Sequence, residues 1–345
     1  MTELIIAEKP SAAKKVANGI ASRPKEHKER GVTYYELTRD DGTDVFVASA
    51  VGHIFTLEEK EKGFEYPTFD IEWMPSYEVD DDAKYTKKFY RVLNQLSDKA
   101  DSFTLACDYD VEGEVIGYNV LRYICKEPDA NRMKFSTLTP SDVKDAYENK
   151  SDHIDWGQAK AGETRHRLDW MYGINLSRAL TKAMKRAGRF TMMSSGRVQS
   201  PALKIVVDKE KKIQAFEPTP YWLVKADIEA DGETTTIDYN DNKVWEEDEA
   251  ETIQATCDDS HIATVEDIDE RYWKQSPPNP FNLSTLQSEA YKTLNISPKQ
   301  TLQLAQDLYT EGYTSYPRTG SEKLPKSIGY NDILDDLTDN NTYKD

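Results

Sequence analysis

A chain of 345 residues is too long for a single hydrophobic core, so two to four domains are expected. Its three cysteines, Cys107, Cys125 and Cys257, are isolated, which argues against disulfides and structural zinc and points to a reducing cytoplasm. A net charge of −18, taken alone, argues against a nucleic-acid partner, but that charge is unevenly spread. From Lys160 to Lys212 there are thirteen Lys and Arg against four Asp and Glu, whereas from Asp227 to Glu270 seventeen acids face one Lys. Such asymmetry suggests one basic face for a polyanion on an otherwise acidic body. The N-terminal apolar run is only Leu4 to Ala7, between Glu3 and Glu8, so no signal peptide is expected. No stretch has the length of a membrane span.

In chain order, Leu4 to Ala7 is a short buried strand ending in Glu8-Lys9-Pro10-Ser11. A helix over Ala12 to Ile20 follows, with Ser11 as its N-cap. Tyr34–Leu37 and Val45–Ala50 flank Asp41-Gly42 as a β-hairpin. Gly52-His53, an aromatic loop from Phe64 to Trp73 and an amphipathic helix over Lys84–Leu96 come next. Ser102–Cys107 is apolar enough for a buried strand, Val115–Tyr123 reads as a helix, and Met133–Leu138 as a last strand. Thr139-Pro140-Ser141 opens a further helix. This alternation predicts a parallel α/β domain. Gly157 to Lys212 is expected to be helical throughout. Tyr221 to Ile237 alternates and starts a β-rich, acidic segment running to Trp273, closed by a linker at Gln275–Pro280. Two helices, Ser284–Leu294 and Pro298–Thr310, precede a polar, acidic tail from Tyr330 to Asp345 that closes no domain.

The chemistry gathers in D-Y-D-V-E-G-E. Asp108, Asp110 and Glu112 leave a buried strand in alternation, so a turn can converge their carboxylates, which repel one another unless a hard divalent cation sits among them. Oxygen-only ligands at that density favour Mg²⁺. For those letters alone a solvated acidic loop is the plain alternative. Gly113, which lets backbone approach a ligand, and the strand-to-helix crest favour the metal. Glu8 ends another strand on the same sheet edge, where neighbouring carboxylates would raise its pKa and suit it to proton donation; Lys9 stands beside it. Alone, Glu8 is more ordinarily an exposed strand-end acid. His53 is left without a role.

Arg165, His166, Arg167, Asp169 and Arg178 share one helix, and Gly196-Arg197-Val198-Gln199 precedes another. Arg side chains and backbone N–H groups at such places bind phosphates, while Lys182, Lys185 and Arg186 read as a solvated basic face. Tyr316 lies in Ser315-Tyr-Pro-Arg-Thr-Gly320, where Pro317 pins the backbone and Arg318 can neutralise a phosphate that the phenol attacks. With twenty tyrosines in the chain, this context leaves Tyr316 open between nucleophile and ordinary tyrosine.

Taken together, these motifs resemble the type IA DNA topoisomerases, most of all the archaeal enzymes and bacterial topoisomerase III. E-K-P-S at Glu8–Ser11 and D-Y-D-V-E-G-E at Asp108–Glu114 are similar to the two motifs of a toprim domain. R-H-R-L-D-W-M-Y-G-I-N-L-S-R at Arg165–Arg178 and S-G-R-V-Q-S-P at Ser195–Pro201 are similar to the motifs of a helical DNA-binding domain. A-Q-D-L-Y-x-x-G at Ala305–Gly312 and S-Y-P-R-T at Ser315–Thr319 resemble the segment that bears the nucleophile. Six motifs in order make the likeness strong where any one is weak.

The resemblance implies a multi-domain α/β plus α plus β chain. A toprim α/β domain would fill residues 1–152, the first part of a helical DNA-binding domain 153–215, the first part of a β-rich arch 216–277, and an incomplete nucleophile-bearing helical domain 278–345. It implies Tyr316 as a nucleophile forming a 5′-phosphotyrosine, Arg318 as its electrostatic partner, Glu8 as general acid and Lys9 as a phosphate contact. Mg²⁺ would be held by Asp108, Asp110, Glu112 and Glu8. DNA would be bound by Arg165, Arg167, Asp169, Arg178, Ser195, Arg197, Gln199 and Thr319. The expected partner is single-stranded and negatively supercoiled DNA, handled without ATP by a cytoplasmic, nucleoid-associated protein.

Two departures stand out. Val111 occupies the place where the family commonly has Arg before the Glu of its metal motif. The chain also stops 29 residues after Tyr316, so a split or truncated enzyme is expected, needing a second polypeptide or its other half for strand passage. The other readings are an incomplete DNA-binding subunit and a different toprim enzyme, such as a primase or nuclease, which the S-Y-P-R-T motif opposes.

Overall fold

The computed structural model describes residues 2–39, 41–240, 243–324 and 329–339. Residues 340–345 of the acidic tail lie outside them. Contacts divide the chain into two units, Met1–Arg197 with Asn279–Asp345, and Val198–Pro278.

The first unit is built on a six-stranded sheet in the order β2-β3-β4-β1-β7-β8. Its centre is β1 (Thr2–Ala7), buried from Glu3 onward. Two faces are visible in the side-chain alternation. Leu4 and Ile6 pack with Leu105, Phe89, Leu93, Val115 and Ile116, on the side of α3 (Thr86–Ser97) and α4 (Val111–Val120). Ile5 and Ala7 pack with Ala13, Val16, Val143 and Tyr147, on the side of α1 (Pro10–Ile20) and α5 (Pro140–Glu148). A strand buried on both faces is what a helix-covered sheet demands.

The sheet is mixed, which corrects the parallel expectation. β1 runs parallel to β4 (Asp44–Ser49) and β7 (Ser102–Ala106), and β7 parallel to β8 (Asn131–Arg132). β3 (Val32–Thr38) is antiparallel to β4 and to β2 (Lys25–Glu29). The reason is local: the turn at Arg30-Gly31, both at positive φ, is too short for any crossover. A separate two-stranded sheet pairs β5 (Phe55–Glu59) with β6 (Ile71–Pro75), followed by the single turn α2 (Ser76–Val79).

Other expectations also change. Helix α1 begins at Pro10, with Lys9 at the N-cap and no side-chain cap, so Ser11 lies inside the helix; proline is well suited to a first helical position. Met133–Leu138 is not a strand. It buries Met133, Phe135 and Leu138, yet its backbone bonds to the sheet through Met133 N–H to Leu105 O (2.9 Å), beyond the two-residue β8, and further on Ser136 O accepts from Tyr316 N–H instead of a strand. The continuous helix over 157–212 is interrupted: α6 (Trp156–Arg186) ends before Gly188, at φ +82, and α7 (Gln199–Gln214) belongs to the second unit.

The second unit also contains the hairpin β9 (Lys225–Ala230) and β10 (Glu233–Asp238), and α8 (Glu247–Ser260). That helix corrects the β-rich reading to Trp273; Glu247, Asp248 and Glu249 in its first turn complement the positive end of the helix dipole. Back in the first unit, α9 (Leu283–Leu294) opens with an Asn282–Thr285 capping box. α10 (Pro298–Glu311) is capped by Ser297 and stopped by Gly312 at φ +88, and α11 (Tyr330–Thr338) follows. No helix among the described residues is long and apolar enough to cross a membrane.

Candidate active site

The acidic motif sits where β7 gives way to α4. Asp110 is the N-cap of that helix, its Oδ1 accepting from Gly113 N–H at 2.7 Å. Val111 therefore starts the helix earlier than the apolar pattern indicates, and Glu112 falls in its first turn instead of an extended run. Gly113 is required on space alone, because a Cβ there would lie 2.2 Å from Asp108 O. Gly162 on α6 allows a similar approach: its Cβ would meet Val115 at 2.2 Å, so α4 and α6 cross closely at this point.

Beneath the crest lies a fully buried ion pair that sequence reasoning missed. Arg132 Nε donates to Glu114 Oε2 (2.8 Å), and its Nη groups donate to the carbonyls of Cys107 (2.8 Å), Met133 (2.7 Å) and Asp108 (3.0 Å). Glu114 also accepts from Asp155 N–H, the N-cap residue of α6, at 2.7 Å. One guanidinium thus fixes the backbone that presents Asp108, and its partner fixes the start of α6. Only the final Glu of D-Y-D-V-E-G-E hinted at this.

Two tyrosines meet the first two acids. Tyr309, on α10 and buried, donates to Asp108 Oδ1 at 3.1 Å. Tyr316 donates to Asp110 Oδ2, and its ring packs edge-on against Tyr309 at 5.2 Å between centroids. Its backbone N–H is held by Ser136 O at 2.9 Å. Burial, followed by the nearby charges of Glu8 and Asp110, raises the Asp108 carboxyl to about 7, with Lys9 and the Tyr309 hydrogen bond opposing. The Tyr316 phenol is pushed far above its ordinary range by burial and then by the hydrogen bond to Asp110; Arg318 pulls the other way. Resting Tyr316 is a neutral phenol with its proton already directed at a carboxylate. Lys9 pairs with Glu8 at 3.2 Å, and Glu8 and Arg318 line the cleft that also exposes Asp110.

Glu112 faces other partners. Its Oε2 lies 3.0 Å from His53 Nε2 and 2.9 Å from His166 Nε2, and its Oε1 lies 3.2 Å from Arg165. Hydrogen bonds from His166, then His53, hold its carboxyl far below the usual range. Among the described residues, His53, Glu112 and His166 are the group of three whose ligand atoms all lie within 4.8 Å of one another. The four acids expected to share one Mg²⁺ shell thus do not converge to that distance. Glu8, Asp108 and Asp110 lie near enough on the tyrosine side for Asp108 to feel the other two charges, but their oxygens do not all meet that distance either, and helical phase takes Glu112 to the histidines. The oxygen-only set Glu8, Asp108 and Asp110 still suits a hard cation, whose charge would offset the desolvation that disfavours ionised Asp108.

The residues expected on DNA are spread more widely. Arg165 and Asp169 line the cleft, and Arg197 Nε contacts Asp169 Oδ1 at 2.5 Å. Arg167 pairs with Glu163 at 3.3 Å along α6. Arg178, expected on DNA, is engaged within the protein: its guanidinium grips Glu59 with two bonds of 2.8 Å and donates to Glu65 O at 2.9 Å, tying α6 to β5. Ser195 N–H donates to Ser177 Oγ at 3.0 Å. Thr319 O accepts from Leu283 N–H at 3.1 Å. Gln199 opens α7 in the other unit.

A tyrosine seated among toprim-like acids defines a class that the comparisons identify directly. The DNA topoisomerase family matches residues 153–345, and the Toprim domain family matches residues 3–138. The chain belongs to the type IA DNA topoisomerase family. DNA topoisomerase 1 of Pyrococcus horikoshii is 46% identical over 338 residues, covering 97% of this chain and 49% of that protein. DNA topoisomerase 1 of Methanocaldococcus jannaschii is 46% identical over 347 residues, covering 99% and 44%. The structure of full-length topoisomerase I from Thermotoga maritima matches with a TM-score of 0.66 and 27% identity, covering 97% of this chain and 52% of that one. The chain spans about half the length of the curated relatives it matches.

Proposed function

We propose that this chain carries the strand-cleavage centre of a type IA DNA topoisomerase. Tyr316 Oη attacks a DNA phosphorus, its proton passes to Asp110, and the 3′-oxygen leaves with a proton supplied by Glu8. The products are a 5′-phosphotyrosine and a free 3′-hydroxyl. One ester is exchanged for another, so the step is reversible and needs no ATP. The observation that carries this reading is the Tyr316 hydroxyl bonded to Asp110 at the edge of a cleft lined by Glu8 and Arg318. Arg318 neutralises the attacked phosphate, and Lys9 contacts the neighbouring one.

Glu8, Asp108 and Asp110 would hold Mg²⁺, which when bound supplies positive charge beside the phosphate and the returning 3′-hydroxyl. Arg165, Asp169 and Arg197 belong to the face that tracks the single strand, with Ser195, Thr319 and Arg167 as outlying contacts. Relaxing negatively supercoiled DNA requires both broken ends to be held while another strand passes. We assign that to this half acting with the remainder of the relatives' length, in the same or a second polypeptide.

The test is adduct trapping on a single-stranded oligonucleotide labelled at its 3′ end. Denaturation during the reaction leaves label on the wild-type chain and none on Tyr316→Phe, while the variant still binds the oligonucleotide. Label on the Phe variant at wild-type yield, or none on the wild type, overturns the assignment.

A further inference from the structure

We propose that His53, Glu112 and His166 form a separate site for a divalent transition ion of the Zn²⁺, Mn²⁺ or Co²⁺ class. The histidines come from distant places, one in the loop after β4 and the other on α6, yet both present Nε2 to the same carboxylate oxygen, at 3.0 and 2.9 Å. Ligands bound at about 2.1 Å to one ion and at right angles to each other stand about 3 Å apart. Both histidine–carboxylate spacings match that of a shared ligand shell, and all three ligand atoms lie within 4.8 Å of one another.

Donor chemistry sets the class. Two imidazoles with one carboxylate suit borderline transition ions, whereas Mg²⁺ and Ca²⁺ take oxygen. The rings are also braced: His166 packs 5.5 Å from Trp73 and 5.0 Å from His53, and Trp73 is buried. Arg165, 3.2 Å from the other carboxylate oxygen, leaves Oε2 to the ion. The three ligands line an open cleft, with side chains 29–33% exposed, so an ion can enter and keep positions for water. A hydrogen-bonded His–Glu–His cluster without an ion is the competing description.

The experiment titrates the metal-free full chain with Co²⁺, reading visible absorption and the imidazole NMR resonances. The expected result is one tightly held Co²⁺ that broadens His53 and His166 while His27, His153 and His261 stay sharp. Affinity should fall at least about tenfold in His53→Gln and in His166→Gln. In Asp108→Asn it should hold, because the oxygen-ligand side is distinct. Unchanged affinity in both Gln variants, broadening of the other histidines first, or displacement of Co²⁺ by equimolar Mg²⁺ would each overturn the site. The wild-type NMR titration decides the matter even if a variant fails to fold, and metal-free melts of the variants report whether it did.

Discussion

The two sides of the cleft draw on one short motif and use it in different ways. On the tyrosine side, Asp108 and Asp110 lie before the helix and receive phenolic hydroxyls from α10 and the segment after it. On the histidine side, Glu112 lies inside the first helical turn and receives imidazoles from the β4–β5 loop and α6. Asp108 has its charge disfavoured by burial, whereas Glu112 has its charge stabilised by donors. A D-x-D-x-E spacing that would be symmetrical in an extended strand becomes asymmetrical once Asp110 caps a helix. The helix start, more than the count of acids, decides which chemistry each carboxylate can join.

The strongest way to break that comparison is to remove what both sides stand on. Arg132→Met leaves Glu114 buried without its cation and should cost about 3–5 kcal/mol in urea unfolding, because an uncompensated buried charge is expensive. Adduct formation and Co²⁺ binding should fall together. A variant that keeps wild-type stability would show that the crest does not hang from this pair.

Acid tests how α6, which carries His166, is fastened. Arg178 holds the Glu59 carboxyl at about 2, against an ordinary 4.5, chiefly through its hydrogen bonds. A depressed folded-state pKa contributes stability that is full above the unfolded value and lost as pH falls toward the folded one. The pair should therefore add about 1–2 kcal/mol above pH 4.5, after allowance for solvent screening, and lose that contribution on the way down to pH 2. Stability curves of wild type and Arg178→Met should converge over that window. Curves that stay parallel would remove Glu59 as the fastener of α6.

The smallest effect sharpens the tyrosine side. Tyr309→Phe deletes one hydrogen bond to Asp108, worth about 1–1.5 kcal/mol, and should slow adduct formation about tenfold while Co²⁺ affinity stays unchanged. An unaltered cleavage rate would mean that Tyr309 only fills space.

Much of this was legible in the sequence. The motifs marked the acids, Tyr316 and Arg318, and the unbroken apolar run of Leu4 to Ala7 marked the central strand. What escaped reading depends on distance along the chain. Nothing near Arg132 announces a partner 18 residues away, and Arg178 looks like any basic residue until Glu59, 119 residues earlier, is placed beside it. His53 was a lone histidine until α6 brought His166 next to it. Met133–Leu138 misled because buried alternation mimics a strand, while Ser136 offers its carbonyl to Tyr316. Tyr309 could have been found, since it lies within A-Q-D-L-Y-x-x-G, seven residues before Tyr316.

In the proposed reaction the hydroxyl of Tyr316 is the attacking atom, and in the structure it is one of the ties between its segment and the acidic crest, together with the Ser136 and Tyr309 bonds. In the resting structure Tyr316 donates and Asp110 accepts. Once that oxygen is esterified to phosphorus it can accept but no longer donate, so the bond survives the proposed reaction only with its direction reversed, from a protonated Asp110. A charge-assisted tie becomes a neutral one, and it is lost if Asp110 gives its proton to water. The segment is held more strongly before the break and after rejoining than while the strand is open.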